Sequence, residues 1–404
     1  MVLLILACAG PSTVASTPIP IETPGPDTDD TDPAVPRPTD PPVHTGPSTD
    51  SDAPDSATPV LTADTGPAAG NPTGVSPPTG GPFDDTASTG LSTGPHTGAP
   101  ADTSVPDSDA PDTDAPDTDA PDTGPPDTRV RFVALGDAGD GSPGQFAVAD
   151  AIEAVCAQRG CDFALYLGDN LYPAGANSPT APQFQSAFEL PYAALDFPFH
   201  VVVGNHDYGN TYDPSLPPNE VAYTFYSQKW SLPALSYVFD RQNVRFIGID
   251  TTAIQFGDGG PQAPLVEAAT QTWSGWTLVF GHHPYLSNGA HGNAGAYDGV
   301  PATDPIGNGA LMQTFFEDSI CGAADLYLAG HDHDRQWLEP QCGTELVVSG
   351  AGARLRMLYG LNPTLFQASS LGFLYVVIDG DTLTGTFYDD QGVADFERVI
   401  TRTP

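Results

Sequence analysis

The sequence predicts an α/β fold: two packed mixed β-sheets flanked by helices, an αββα sandwich, preceded by a disordered stalk. Three observations lead there. Composition changes abruptly near residue 129. Beyond that point, short apolar runs recur with little polar alternation, the pattern of strands buried on both faces. Towards the C-terminus the runs follow one another quickly across a tight turn, which suits antiparallel strands added to such a core.

From about Pro11 to Thr128 the chain is Pro, Thr, Asp, Ser, Gly and Ala, with Phe83 its only aromatic residue. Such a segment cannot bury enough apolar surface to offset the entropy of ordering it. Asp109 to Thr123 repeats Asp-Ala-Pro-Asp-Thr, where proline blocks regular pairing and carboxylates repel, so the tract is expected to be extended. The expected division is therefore a signal-like segment over 1–8, an acidic linker over 9–128 and one α/β domain over 129–404.

Net charge is −39 with only 12 Lys and Arg, and Arg37 is the one basic residue before Arg129. No basic face exists to neutralise a nucleic-acid backbone, so that partner class is excluded. A phosphate site in so acidic a chain must supply its own local positive charge, and metal ions do that.

The N-terminal run ending in Ile5-Leu6-Ala7-Cys8 resembles a bacterial lipoprotein signal, with Cys8 the lipid-modified residue. It is short and no Lys or Arg precedes it, and a chance apolar N-terminus is the competing reading. On the lipoprotein reading the stalk holds the domain off a membrane. The protein is then exported, as a cell-surface lipoprotein or a secreted or periplasmic form. Cys156, Cys161, Cys321 and Cys342 remain, an even number in two close pairs. Disulfides 156–161 and 321–342 are expected in an exported protein, against the alternative of four reduced core cysteines.

In order, the predicted strands are Val130–Leu135, Phe163–Leu167, Phe199–Val203, Val244–Ile249, Thr277–Phe280, Leu326–Ala329, Leu346–Val348, Phe373–Ile378 and Leu383–Tyr388. Asp379-Gly380-Asp381 forms the turn before the last. Val148, Ile152 and Val155 share a helical face, as do Leu311 and Phe315 beside Met312 and Phe316. The first two connections look like βαβ units.

Five of these runs are followed directly by a Gly-led motif: Gly136-Asp137, Gly168-Asp169-Asn170-Leu171-Tyr172, Gly204-Asn205-His206-Asp207, Gly281-His282 and Gly330-His331-Asp332-His333. Ligands of open α/β sheets gather beyond the carboxyl ends of strands. Carboxylate, imidazole and amide oxygen suit Fe, Zn and Mn, and a shared carboxylate holds two ions about 3.5–4 Å apart. A glycine before each ligand is expected to let the backbone turn sharply. His200, inside a strand, reads as a core residue; Asp332 reads as a solvated or supporting group, and His283 carries no assigned role.

These motifs, with Gly281 to Gly292 (GHHPYLSNGAHG), Ser349 to Gly352 and Gly372 to Val376, resemble the purple acid phosphatases among the calcineurin-like metallophosphoesterases, and are closer to the small animal-type tartrate-resistant form than to the large plant form. The likeness covers residue 129 to the C-terminus. It implies that Asp137, Asp169, Tyr172 and His333 bind Fe(III). Asp169 then bridges to a divalent ion (Fe, Zn or Mn) held also by Asn205, His282 and His331. It further implies an acid phosphatase that hydrolyses phosphate monoesters by attack of a metal-bound hydroxide on phosphorus. His206 and His291 would contact the phosphate of a small substrate, one of them protonating the leaving oxygen, and Asp207 is expected to orient His206. The alternatives are a phosphodiesterase or nucleotide hydrolase on the same metals and, in another class, a surface-anchored phosphate-binding or adhesion protein. The pocket is expected to be shaped by residues 209–218 and 256–264. Oligomeric state is not readable.

Overall fold

The computed structural model describes residues 127–209 and 212–402. The expected signal segment, Cys8 with it, and the linker lie outside the described residues, apart from Asp127 and Thr128. Among those described, no helix is long and apolar enough to cross a membrane.

The chain enters through β1 (Val130–Leu135) and passes into helix α1 (Pro143–Arg159). Ser142 caps that helix by accepting from the Gln145 amide, and Pro143 occupies its first turn, where a missing N–H costs nothing. Val148, Ile152 and Val155 form the buried face, as their spacing predicts. Strand β2 (Phe163–Leu167) returns parallel to β1, completing one βαβ unit. The next parallel strand, β3 (Phe199–Val202), is reached through a long loop carrying the π turn Gln185–Glu189, so the second unit is only loosely helical.

Helix α2 (Pro217–Tyr223) and the short β4 (Trp230–Ser231) close the first half. Then follow β5 (Tyr237–Arg241), β6 (Val244–Gly248), α3 (Thr251–Gln255), α4 (Gln262–Gln271) and β7 (Trp276–Phe280). Helix α5 (Ala310–Phe315) continues into the π turn Phe316–Ile320 before β8 (Leu326–Ala329). The remainder is β9 (Arg335–Gln341), β10 (Thr344–Ser349), β11 (Thr364–Ala368), β12 (Gly372–Asp379), β13 (Thr382–Asp389) and β14 (Ala394–Thr401).

The expected two mixed sheets form. The first runs β14-β13-β12-β1-β2-β3-β4, the second β11-β9-β10-β8-β7-β6-β5. In the first, β1 to β4 are parallel and the antiparallel strands lie on one side only; in the second, a parallel centre is flanked by antiparallel strands on both sides. Between the sheets, Phe246 of the second packs edge-on against Phe132 and Phe163 of the first, at 5.4 and 5.3 Å. Alternate residues of the second sheet, among them Ile247, Val279, Tyr327 and Val348, turn outward and form a separate core with Met312 and Phe316. Both faces of the central strands are thus apolar, which is why their sequence does not alternate.

Five strands escaped the apolar-run criterion. β5, β11 and β14 lie at sheet edges and are largely half-buried or exposed, and β4 is two residues long. β9 is interior but begins Arg335-Gln336, both buried, with Arg335 paired to Asp395 and Gln336 bonded to Ser287 and Asn288. Disulfides Cys156–Cys161 and Cys321–Cys342 are both formed, displacing the reduced-cysteine alternative.

Candidate metal centre

Asp137 lies just past β1, Asp169 past β2, Asn205 past β3, His282 past β7 and His331 past β8. Five central strands from two sheets therefore deliver one side chain each to a common point. Asp137, Asp169 and His331 themselves adopt left-handed backbone conformations, with φ of 57°, 53° and 70°. Of the five glycines preceding ligands, only Gly168 has positive φ, at 87°. The expectation that these glycines make the turns is therefore corrected for all but Gly168: at three of the five places the following candidate ligand turns, and the glycines admit close neighbours. A Cβ on Gly204 would lie 2.2 Å from Asp169 Oδ1.

The oxygen donors meet first. The Tyr172 hydroxyl donates to Asp169 Oδ2 at 2.9 Å and lies 3.4 Å from both Asp137 Oδ1 and His333 Nε2. His333 Nε2 is 3.5 Å from Asp137 Oδ1. On the other side, His282 Nδ1 donates to the Leu167 carbonyl at 2.9 Å, which leaves Nε2 as a bare lone pair. That lone pair faces Asn205 Oδ1 at 3.0 Å, His331 Nδ1 at 3.1 Å and Asp169 Oδ1 at 3.4 Å. All seven predicted ligands are thus brought together, with Asp169 touching both subsets.

Electrostatics fit cations here. Burial raises both carboxyls. At Asp169 the His282 and His206 rings, the His206 amide and the Tyr172 hydroxyl more than reverse this, bringing its pKa to about 2. At Asp137 burial wins, to about 8. Burial also pushes His331 well below the usual imidazole range and His333 down to about 3, so both rings are neutral and able to ligate. The His282 Nε2 lone pair facing Asn205 Oδ1 and Asp169 Oδ1 with no hydrogen between them, beside two buried carboxyls, belongs to a donor set that bound metal ions would satisfy.

The supporting residues differ from expectation in one case. His206 Nδ1 donates to the Pro173 carbonyl at 2.9 Å, and its Nε2 lies 4.0 Å from Asp169 Oδ2. Asp207 does not orient it. The Asp207 carboxylate is wholly buried and accepts from the amides of Gly204 (2.7 Å), Asn170 (2.9 Å) and Leu171 (3.1 Å). It ties the β2 and β3 loops together, because a carboxylate so close to several free N–H groups is drawn to them rather than to a half-buried ring. Asn170 and Glu220 extend this buried network.

His291 Nδ1 pairs with Asp298 Oδ1 at 2.8 Å, and its ring stacks on His331 at 4.1 Å. Burial lowers its pKa, but the Asp298 bond and the charges of Asp332 and Asp298 outweigh burial and raise it overall. Asp332 is buried and accepts from the His291 amide at 2.8 Å, so the solvated reading gives way to a supporting one. His283 also supports: Thr251 Oγ1 lies 2.9 Å from its Nδ1 and accepts from the amides of His282 and His283. His200 is a core residue, stacked on Phe239 at 3.8 Å. The loops expected to shape the pocket meet where Tyr212 stacks on Phe256, at 4.0 Å.

Sequence reasoning missed Asp298, Arg354 and Arg356. The Arg354 guanidinium lies 4.1 Å from the Tyr172 ring centroid, and Nε pairs with Asp140 Oδ2 at 3.0 Å. Arg356 bonds through its amide to the His333 carbonyl at 2.9 Å. The scarcity of basic residues was the available signal: two of the few arginines stand two apart, directly after Gly350-Ala351-Gly352-Ala353.

The calcineurin-like phosphoesterase family model matches residues 130–335, more than half of the chain. The chain belongs to the calcineurin-like phosphoesterases. Its relatives include the tartrate-resistant acid phosphatases type 5 of Sus scrofa and Homo sapiens, each 28% identical, covering 68% of this chain and 87% and 91% of theirs. Purple acid phosphatase 4 of Arabidopsis thaliana is 27% identical over 65% of this chain and 81% of its own. Among solved structures, the fold is similar to GAP50, the anchor in the inner membrane complex of Plasmodium, with TM-score 0.56 and 18% identity over 69% of this chain and 90% of that one. A purple acid phosphatase from yellow lupin (Lupinus luteus) seeds gives TM-score 0.52 and 18% identity over 68% of this chain and 54% of that one. The chain is thus a metallophosphoesterase with acid-phosphatase relatives.

Proposed function

We propose that residues 129–404 are a dinuclear-metal acid phosphatase acting on small phosphate monoesters. The observation that carries this is the meeting of seven donors at the ends of five strands, with Asp169 in contact with both subsets. Asp137, Asp169, Tyr172 and His333 would hold Fe(III). Asp169, Asn205, His282 and His331 would hold Fe, Zn or Mn in the divalent state. When bound, the pair supplies positive charge to the phosphate oxygens and lowers the pKa of water.

The chain's own groups do the rest. His206, its Nδ1 proton held by Pro173, directs Nε2 to the phosphate. His291, with Nδ1 held by Asp298, keeps Nε2–H to donate to the leaving oxygen, releasing the alcohol. Asp207 holds the Asp169 and Asn205 loops at their working separation. The two disulfides support an exported protein, and anchoring through Cys8 completes the proposal.

The test is hydrolysis of an aryl phosphate by metal-loaded protein at acid and neutral pH, beside Asn205→Ala. Turnover that vanishes in the variant supports the reading. Protein with two bound metals and no turnover on monoesters, but turnover on diesters, would overturn the monoesterase assignment.

A further inference from the structure

The π-face of the Tyr172 ring meets a formal cation. Arg354 places its guanidinium 4.1 Å from the ring centroid, within cation–π range. The contact is built rather than incidental. Asp140, on the loop that follows Asp137, receives Arg354 Nε at 3.0 Å, and its carboxylate is only 11% exposed. Asp140 also accepts from the Ser142 amide at 2.9 Å, which fixes it to the N-terminus of α1. A rigid chain of contacts thus runs from α1 through Asp140 and Arg354 to the tyrosine. In a protein with net charge −39, a cation so placed is not background.

We infer that Arg354 is a positioning residue that tunes the electronic character of Tyr172 as a metal ligand, an inference that rests on the ferric assignment proposed above. A tyrosinate bound to Fe(III) absorbs visible light by passing an electron from ring to metal. A cation over the ring stabilises the electron where it starts, so the transition needs more energy. It also draws electron density from the ligand, which makes the ferric state less favoured. Arg354 thereby sets both the colour and the reduction potential of the centre without touching substrate.

The experiment is visible spectroscopy and iron analysis of the full-length protein, with Arg354→Met, Arg354→Lys and Asp140→Asn. R354M is expected to move the band to longer wavelength at unchanged absorbance per iron and to lower the reduction potential, with R354K returning both towards wild type. A merely structural role would reduce iron content and leave the band where it was. If R354M does not retain iron, D140N decides: removing the counter-charge leaves the cation less compensated, and the band moves to shorter wavelength. A coloured wild type with an unmoved band in the iron-bearing variants overturns this inference alone. A wild type that binds two metals without a visible band overturns the ferric assignment and this inference with it.

Discussion

The two sheets contribute unlike chemistry to one centre. The first sheet supplies oxygen: Asp137 after β1, Asp169 and Tyr172 after β2, Asn205 after β3. The second supplies nitrogen: His282 after β7, His331 and His333 after β8. The oxygen half buries two carboxyls that repel one another: burial makes ionised Asp137 oppose folding until a cation arrives, whereas neighbouring rings and hydrogen bonds favour ionised Asp169. The nitrogen half buries neutral rings already steered by carbonyls such as Leu167, and costs little when empty. The cost of the metal-free centre is therefore concentrated at Asp137, in the first sheet.

The largest expected effect follows from Asp169, which joins the halves. Asp169→Asn should lose both ions and lower turnover by about 10³-fold or more, whereas His331→Ala should lose one ion and about 10²-fold. Metal content per chain, measured beside turnover, checks this; one ion retained in D169N would break the bridging role.

Next is His291, which stands outside both halves and is held by Asp298. His291→Ala should cut turnover about 10²-fold or more while both metals stay bound. Full activity in that variant would remove it from the mechanism.

A smaller effect separates folding from binding. In metal-free protein, Asp137→Asn relieves a carboxyl that burial holds up at about 8. Near pH 8 its melting temperature should rise by roughly 2–4 °C over metal-free wild type. With metal added the order should reverse. Equal melting of the metal-free forms would show that the oxygen half is not the costly one.

The smallest tests a carboxylate that follows a strand of the second sheet. Asp250, after β6, caps α3 through the Ala253 amide and accepts from Tyr208. Burial raises it to about 6. Between about pH 4 and 6 the native state then binds the proton more than the unfolded chain does, so its contribution to stability falls as pH rises, by on the order of 2 kcal/mol. Asp250→Asn keeps an acceptor and should flatten that slope. Denaturant midpoints at pH 4, 5 and 6 measure it, and parallel curves for the two proteins would refute it.

Legibility followed the same divide between what packs and what pairs. Buried parallel strands announce themselves because both faces are apolar, and the residue after each is exposed to selection for chemistry, so Asp137, Asp169, Asn205, His282 and His331 could be read directly. β14 could not, since it is an edge strand whose side chains are half in solvent. Asp207 was found but misassigned: sequence places it beside His206, while its partners are amides of another loop. Asp298 and Arg354 act across space from loops without periodicity, and no spacing rule connects either to its ring.

Strand β1 has β2 on one side and β12 on the other. Its register against β12 runs from Val130 opposite Ile378 to Ala134 opposite Leu374. The strand that presents Asp137, among the first of the domain to be synthesised, therefore has an open edge until nearly the whole chain has emerged. Closure of the first sheet is therefore a late event, and a metal ion held at its strand ends would be captured after synthesis rather than during it.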